Sequence, residues 1–273
     1  MTSADSLGRV ARRPRPPSSG QLVALAYIAV VLIWLFAPIA VIVLFSFSTS
    51  PRMILPIEGY TLDWYAKAFA NPLLERSVIN SIILAAITAT VATTLGVSFS
   101  FGVLKVRRRF RGALGTASLL PAAVPVLVVG MALAVLFRTL SQPPSLVNAA
   151  IGHILIALPF VILTMNARLE TFDFSTLDAA RDLGASPYRT FRDVTYPLIR
   201  PSVIGAALLA IALSLDEFVV TYFNIGTLMT VPTYIWSLVR KGIDPSLNAL
   251  ATMTLLTLVI LVVLSNLLSR RRR

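Results

Sequence analysis

The chain has 273 residues, 56% of them hydrophobic and 13% charged, with a mean hydropathy of +0.81. A soluble domain carries about 25% charged residues, so this chain has too little polar surface to cover a globule in water, and lipid must be part of its solvent. It has no cysteine and one histidine, His153, which excludes disulfides and argues against a multi-His metal site or a Ser-His catalytic set; its net charge of +12 sits in short basic clusters beside apolar runs rather than in a nucleic-acid-binding stripe.

Residues 1–20 include RRPRPPSSG, a proline-rich basic stretch that reads as a disordered cytoplasmic tail near anionic lipid. A helix that crosses a bilayer needs roughly 20 mostly apolar residues. Six segments qualify: 22–45, 81–104, 113–137, 146–165, 203–222 and 249–268. The first is too long for a signal-peptide core and no A-x-A site follows it, so a retained helix over 21–45 is expected. An external loop, 46–79, comes next. Within it LDWYAKAFA has helical spacing, and Trp64, Tyr65 and Phe69 suit a membrane surface or a binding protein. The core then spans 80–268, with a basic tail at 269–273.

Small residues recur in the second span (Ala85, Ala86, Ala89, Gly96) and the fifth (Gly205, Ala206, Ala207, Ala210), which predicts close helix packing. Pro121, Pro125 and Pro159 predict kinks or breaks in the third and fourth spans. Of the Lys and Arg residues, 18 fall on one side of these spans and six on the other. By the positive-inside rule both termini are cytoplasmic, and so is the loop 166–200 between spans four and five.

That loop reads as two short helices around a bend. Ser175 or Thr176 caps a helix over 177–183, with Asp178 in its first turn, and Gly184 supplies a left-handed C-terminal cap. Ser186 caps the next helix, Pro187 opens it, and Pro197 and Pro201 are expected to break the chain before it re-enters the bilayer. Pattern alone leaves two readings: a solvated loop carrying topology charges, or an element that something covers.

A resemblance separates them. Asp178-Ala179-Ala180, three residues, Gly184, nine residues, Val194-Thr195-Tyr196-Pro197 is similar to the EAA loop of membrane subunits in binding-protein-dependent ABC importers, E-A-A, three residues, G, nine residues, I-x-L-P. Asp replaces Glu, Val replaces Ile and Tyr196 replaces Leu. NSIILAAITATVATTLGVSFSFGV from Asn80 resembles the helix that opens that family's core, and SLDEFVVTYFNIG and DPSLNALATM resemble its spermidine/putrescine branch. The resemblance implies an all-α polytopic protein of six transmembrane helices with the type I ABC importer permease (MetI-like) architecture, multi-pass in the bacterial inner membrane. It implies that the loop is a coupling helix in which Asp178, Ala179, Ala180, Gly184 and Pro197 contact an ATPase or set the loop's shape. The implied partners are a second homologous permease, two copies of a cytoplasmic ATPase, an extracytoplasmic substrate-binding protein and membrane lipid, with no nucleic acid. ATP and Mg2+ would be bound by the ATPase and no cofactor by this chain.

Asp216 and Glu217 interrupt the fifth span, and ionisable residues at membrane depth suggest function. Either the helix runs through and one acid lines a pathway for a cation, or it breaks near them and they cap a short following helix. On a continuous helix, neighbours point about 100° apart, so both acids would not share a face. Tyr222, Phe223, Tyr234 and Trp236 serve either as cation-attracting aromatics along that path or as an interfacial belt. His153 reads as a packing or interfacial residue, and Asn80, Asn166 and Asn248 as caps near span ends. No Walker A sequence is present, so this chain is not itself the ATPase. The leading function is half of an importer's translocation pathway, with a polyamine or similar small solute as substrate. The alternative is an autonomous secondary transporter or channel for small cations; repeated broken helices would favour it, and the sequence shows no clear set of them. No catalytic set supports an intramembrane enzyme.

Overall fold

A computed structural model describes residues 19–50, 53–241, 246–256 and 259. Among them every regular element is helical, and one isolated antiparallel bridge pairs Ser48 with Tyr60. The chain divides into two compact units, residues 1–64 with 248–273, and residues 65–247.

In the first unit, α1 (Ser19–Phe45) is apolar on all faces and exposed along nearly its whole length, Trp34 by 76%. A helix apolar all round belongs in lipid or against another membrane subunit. The segment after it folds back on itself: Thr49 N–H donates to Gly59 O (3.0 Å) and Thr61 N–H to Phe47 O (2.8 Å). The Trp64 indole N–H donates to Ser48 O at 2.8 Å. The expected tail, 1–20, lies outside the described residues up to 18. The sixth expected span lies largely outside them too, its described part being the helix Ser246–Leu256.

The loop expected to be external contains α2 (Asp63–Phe69), as its spacing predicted. α3 (Pro72–Lys105) starts well before the expected boundary at 80. Glu75 and Arg76 end the apolar run, but a helix needs a cap rather than an apolar run. Asn71 supplies one, its Oδ1 accepting from Leu73 N–H at 2.9 Å, with Pro72 in the first turn. Asn80 therefore lies inside α3 and caps nothing there; its amide donates to Met229 O at 2.8 Å. Asn166 and Asn248 also lie within helices, and Asn248 is buried.

The third expected span is two helices, α4 (Arg108–Ala123) and α5 (Val126–Thr139), bent by 89° at Val124–Pro125. Pro125 drives the preceding residue out of the helical region, and Val124 has φ −82°, ψ 131°. Pro121 and Pro159, by contrast, sit inside helices that continue past them. α6 (Leu146–Glu170) begins at Ser145, whose hydroxyl accepts from Asn148 N–H. After α6 come α7 (Ser175–Asp182) and α8 (Pro187–Arg189), then a π-helical turn over Thr190–Thr195 that runs into α9 (Tyr196–Asp216).

Pro197 and Pro201 do not break the chain, contrary to expectation: Pro187–Asp216 is one helical run. Pro197 falls in the first turn of α9, just past the π turn, where a missing N–H costs least. The Arg168 guanidinium donates to Leu198 O at 2.9 Å, beside Pro197 O, the carbonyl that Pro201 leaves without its helical donor. After α9 follow α10 (Val219–Asn224) and α11 (Val231–Lys241).

Four described helices are long and apolar enough to cross a membrane, and five if α4 and α5 form one span. The core of the second unit lies where α3, α6 and α9 meet, through Ala89, Ala92, Ala157, Val161, Met165, Ile199, Ala206 and Ala210. Ala85, Ala89, Gly96, Ala206 and Ala210 are buried as predicted, whereas Ala86 and Gly205 are exposed. A Cβ added at Gly96 would lie 2.5 Å from Val161 Cγ1, so the α3–α6 approach depends on that glycine.

Candidate functional site

Two places carry polar chemistry that the apolar bundle does not need for its own packing. The first is the elbow between α7 and α8. α7 starts two residues earlier than expected and is not capped by Ser175 or Thr176: Asp173 Oδ1 accepts from the first N–H, that of Ser175, at 3.0 Å. Hydrogen bonds from Ser175 hold the Asp173 carboxyl below the usual carboxylate range. At the other end Gly184 takes φ +83°, the left-handed conformation. Its N–H donates to Arg181 O (2.8 Å) and Ala185 N–H to Ala180 O (3.1 Å), the paired bonds of a glycine-terminated helix. Ser186 then caps α8, accepting from Arg189 N–H, with Pro187 next. Asp178 and Ala179 are exposed on α7, Ala180 is half-buried, and Pro197 is exposed in α9. Asp178 pairs with Arg181 at 3.4 Å on the open surface. Leu183, 89% exposed, stands at the tip, and Tyr188 and Phe191 are also exposed. An elbow with capped ends and uncovered apolar side chains is a built surface rather than a slack loop.

The second place is the break after α9. The helix stops at Asp216, Glu217 is extended (φ −74°, ψ 107°), and α10 begins at Val219. Of the two readings left open by the sequence, the broken helix is the one observed: Glu217 Oε1 accepts from Val220 N–H at 2.9 Å and caps α10. Because the helix ends between them, the 100° separation does not apply, and both acids line one cavity of about 220 Å³. The bend between α4 and α5 faces the same cavity through Pro121, Ala122, Val124 and Val126, and α6 contributes Ile156 and Phe160. Two broken helices thus meet at the depth of the middle of α6, although the sequence had shown no clear repeat of broken helices. Irregular backbone at membrane depth is tolerated where it lines a cavity or is buried in protein. The cavity's lining holds two carboxylates and no cationic side chain. Asp216 has no hydrogen bond or ion pair among the described residues.

Tyr222 is not in that lining; its ring lies 5.5 Å from Phe218 and 5.4 Å from Phe223. Phe218 also meets Trp236 at 5.5 Å. Tyr234 is buried, and its hydroxyl accepts from the Asn71 amide at 2.9 Å. Phe223 lines a separate cavity with Arg138, Gln142, Asn148 and Asn224.

His153 was undervalued by the sequence. It is 2% exposed, and its ring bridges Ser214 of α9 (Nδ1 to Oγ, 2.8 Å) and Thr221 of α10 (Nε2 to Oγ1, 2.7 Å). Its partners lie 61 and 68 residues away, a relation no local pattern could show.

Comparison with known proteins gives this geometry its context. Residues 92–273 match the family described as "Binding-protein-dependent transport system inner membrane component". The spermidine/putrescine transport system permease protein PotC of Haemophilus influenzae is 34% identical over 247 residues, covering 90% of this chain and 96% of its own. PotC of Escherichia coli K12 is 33% identical, covering 92% and 95%. The putrescine transport system permease protein PotI of the same organism is 33% identical, covering 81% and 82%. Among solved structures, a bacterial ABC transporter that imports the acidic polysaccharide alginate superposes with a TM-score of 0.71 at 16% identity, covering 94% of this chain and 98% of that one. The MetNI methionine ABC transporter gives 0.59 at 17% identity, covering 71% and 92%. These structures share the fold, and the relatives bear out the resemblance to the spermidine/putrescine branch.

Proposed function

The chain belongs to the binding-protein-dependent inner-membrane transport components, a permease subunit of an ATP-driven importer whose ATPase is a separate chain, and from that premise we propose that it moves polyamines past the carboxylates at the α9–α10 break. The observation that carries this reading is the cavity lined by Asp216 and Glu217 without a compensating cation. An extended polycation entering an apolar bundle loses water at several kcal/mol per charge. One ammonium about 4 Å from one carboxylate regains about 4 kcal/mol at an effective dielectric of 20. That offsets much of the loss without trapping the solute, as a pathway requires. The relatives that carry spermidine or putrescine in their names support the same solute class.

The cavity of about 220 Å³ is smaller than the roughly 300–1,000 Å³ of a complete small-molecule site. It suits half a pathway, the other half coming from a second homologous permease. The α7–α8 elbow serves as the coupling element. Asp178, Ala179 and Ala180 meet the ATPase, Gly184 fixes the elbow angle, and Pro197 fixes the first turn of the helix behind it. Two ATPase copies binding ATP and Mg2+, and a substrate-binding protein on the other face, complete the assembly. Both termini and the elbow face the cytoplasm, following the distribution of Lys and Arg.

The test is reconstitution with the partner permease, the ATPase and the binding protein in proteoliposomes, followed by uptake of labelled putrescine and spermidine. ATP-dependent uptake of both, lowered several-fold by Glu217→Gln and Asp216→Asn, is expected. Uptake confined to neutral solutes, or unchanged in both variants, would overturn the polyamine pathway.

A further inference from the structure

We propose that His153 is a positioning residue for transport: it ties the end of α9 to the start of α10 and thereby holds the Asp216–Glu217 carboxylates at the cavity. This rests on the reading of those carboxylates as the solute's path.

The protons can be placed from the geometry. The Thr221 hydroxyl donates to Glu217 O at 2.9 Å, which uses its single hydrogen. Thr221 Oγ1 must therefore accept from His153, so Nε2 carries the ring proton in the neutral imidazole. Nδ1 then accepts from the Ser214 hydroxyl at 2.8 Å. The Ser214–Thr88 hydroxyl contact, at 3.4 Å, is too long to compete for that hydrogen. A directed chain results: Ser214 donates to His153, His153 to Thr221, and Thr221 to the backbone of Glu217 itself. The two links through His153 are buried and the link from Thr221 to Glu217 is partly so, and the chain joins α9, α6 and α10 where α9 has ended and α10 has not begun.

Packing alone does not explain a histidine here. A leucine would fill similar space, and the adjoining contacts are apolar and tight. A Cβ added at Gly152 would collide with the Val220 side chain, so α6 already touches α10 without help from His153. What histidine adds is direction. It supplies an acceptor to one side of the break and a donor to the other, which fixes how α10 leaves α9 and hence where Glu217 points.

A double-mutant cycle tests this in the reconstituted importer, with the amount of assembled complex measured beside uptake. His153→Leu should assemble normally and lower polyamine uptake about tenfold or more, the scale of the two buried hydrogen bonds it loses. His153→Gln, which keeps a donor and an acceptor, should stay within about twofold by the same argument. If the histidine acts through Glu217, His153→Leu combined with Glu217→Gln should be no worse than Glu217→Gln alone. Multiplying losses would assign His153 a general structural role and overturn the proposal. So would full uptake in His153→Leu while Glu217→Gln is impaired, an outcome that spares the carboxylate pathway. An unimpaired Glu217→Gln would overturn this proposal, and an unimpaired Asp216→Asn beside it would remove the pathway reading as well. Failure of both His153 variants to assemble would make the residue a packing element and also overturn the proposal.

Discussion

Substituting leucine at Gly184 isolates the elbow from the rest of the molecule. The glycine sits at φ +83°, where a residue with a Cβ is strained by about 1–2 kcal/mol. No further clash adds to this, because a Cβ there would meet nothing within 4 Å. The strain must be relieved by loosening the two bonds that close α7, Gly184 N–H to Arg181 O and Ala185 N–H to Ala180 O. A shift of about 1–2 kcal/mol lowers the ratio of built to unbuilt elbow roughly 5–30-fold. The buried core where α3, α6 and α9 meet is untouched, so Gly184→Leu should reach the membrane in normal amounts. The assay is uptake and ATP hydrolysis measured together in proteoliposomes containing the complete importer and loaded binding protein. Hydrolysis should continue while solute moved per ATP falls several-fold. Gly184→Asn is the control, since asparagine tolerates the left-handed conformation, and it should couple nearly normally. Normal coupling in Gly184→Leu, or equal damage in Gly184→Asn, would refute the assignment.

Three further outcomes follow from the packing and capping. Gly96→Leu should lower the thermal midpoint of the detergent-purified protein, because the new Cβ would meet Val161 Cγ1 at 2.5 Å and overpacking costs about 1–3 kcal/mol. Gly152→Ala should destabilise it for the same reason, and Val220→Ala in the same chain should restore part of the loss, read as a non-additive shift in melting. Asp173→Ala should speed hydrogen exchange at the amides of α7's first turn, whereas Asp173→Ser should not. The Asp173 carboxyl is held below its ordinary range in the folded chain, so its cap is fully present at neutral pH and is lost only as pH falls through that lowered value. Exchange at those amides should therefore show no cap-dependent change between about pH 5 and 8.

The elbow was legible because its determinants are local: Gly184 for a left-handed turn, and Ser186-Pro187 for a capped start. The helix α2 was legible for the same reason. The start of α3 was missed because apolar run length is a proxy for membrane depth and not for helix, and Asn71 caps a helix whose first turns are polar. Pro197 and Pro201 misled because membrane helices tolerate proline, and here the helical run continues from a π turn straight through both. The acids in the fifth span were found from their cost in lipid, but the meeting of two broken helices around them and the clamp through His153 arise only when distant segments pack together. The family resemblance came from the spacing in the elbow and from three further contiguous stretches, 80–103, 214–226 and 244–253.

The proposed coupling role requires the elbow to project into the cytoplasm and meet an ATPase on a separate chain. The chain has no native cysteine, and Leu183 at the elbow's tip is 89% exposed, so Leu183→Cys gives a single reporter. A membrane-impermeant maleimide should label it in inside-out vesicles and not in right-side-out ones, and bound ATPase should slow the reaction. Labelling from the outer face, or a rate indifferent to the ATPase, would contradict the account.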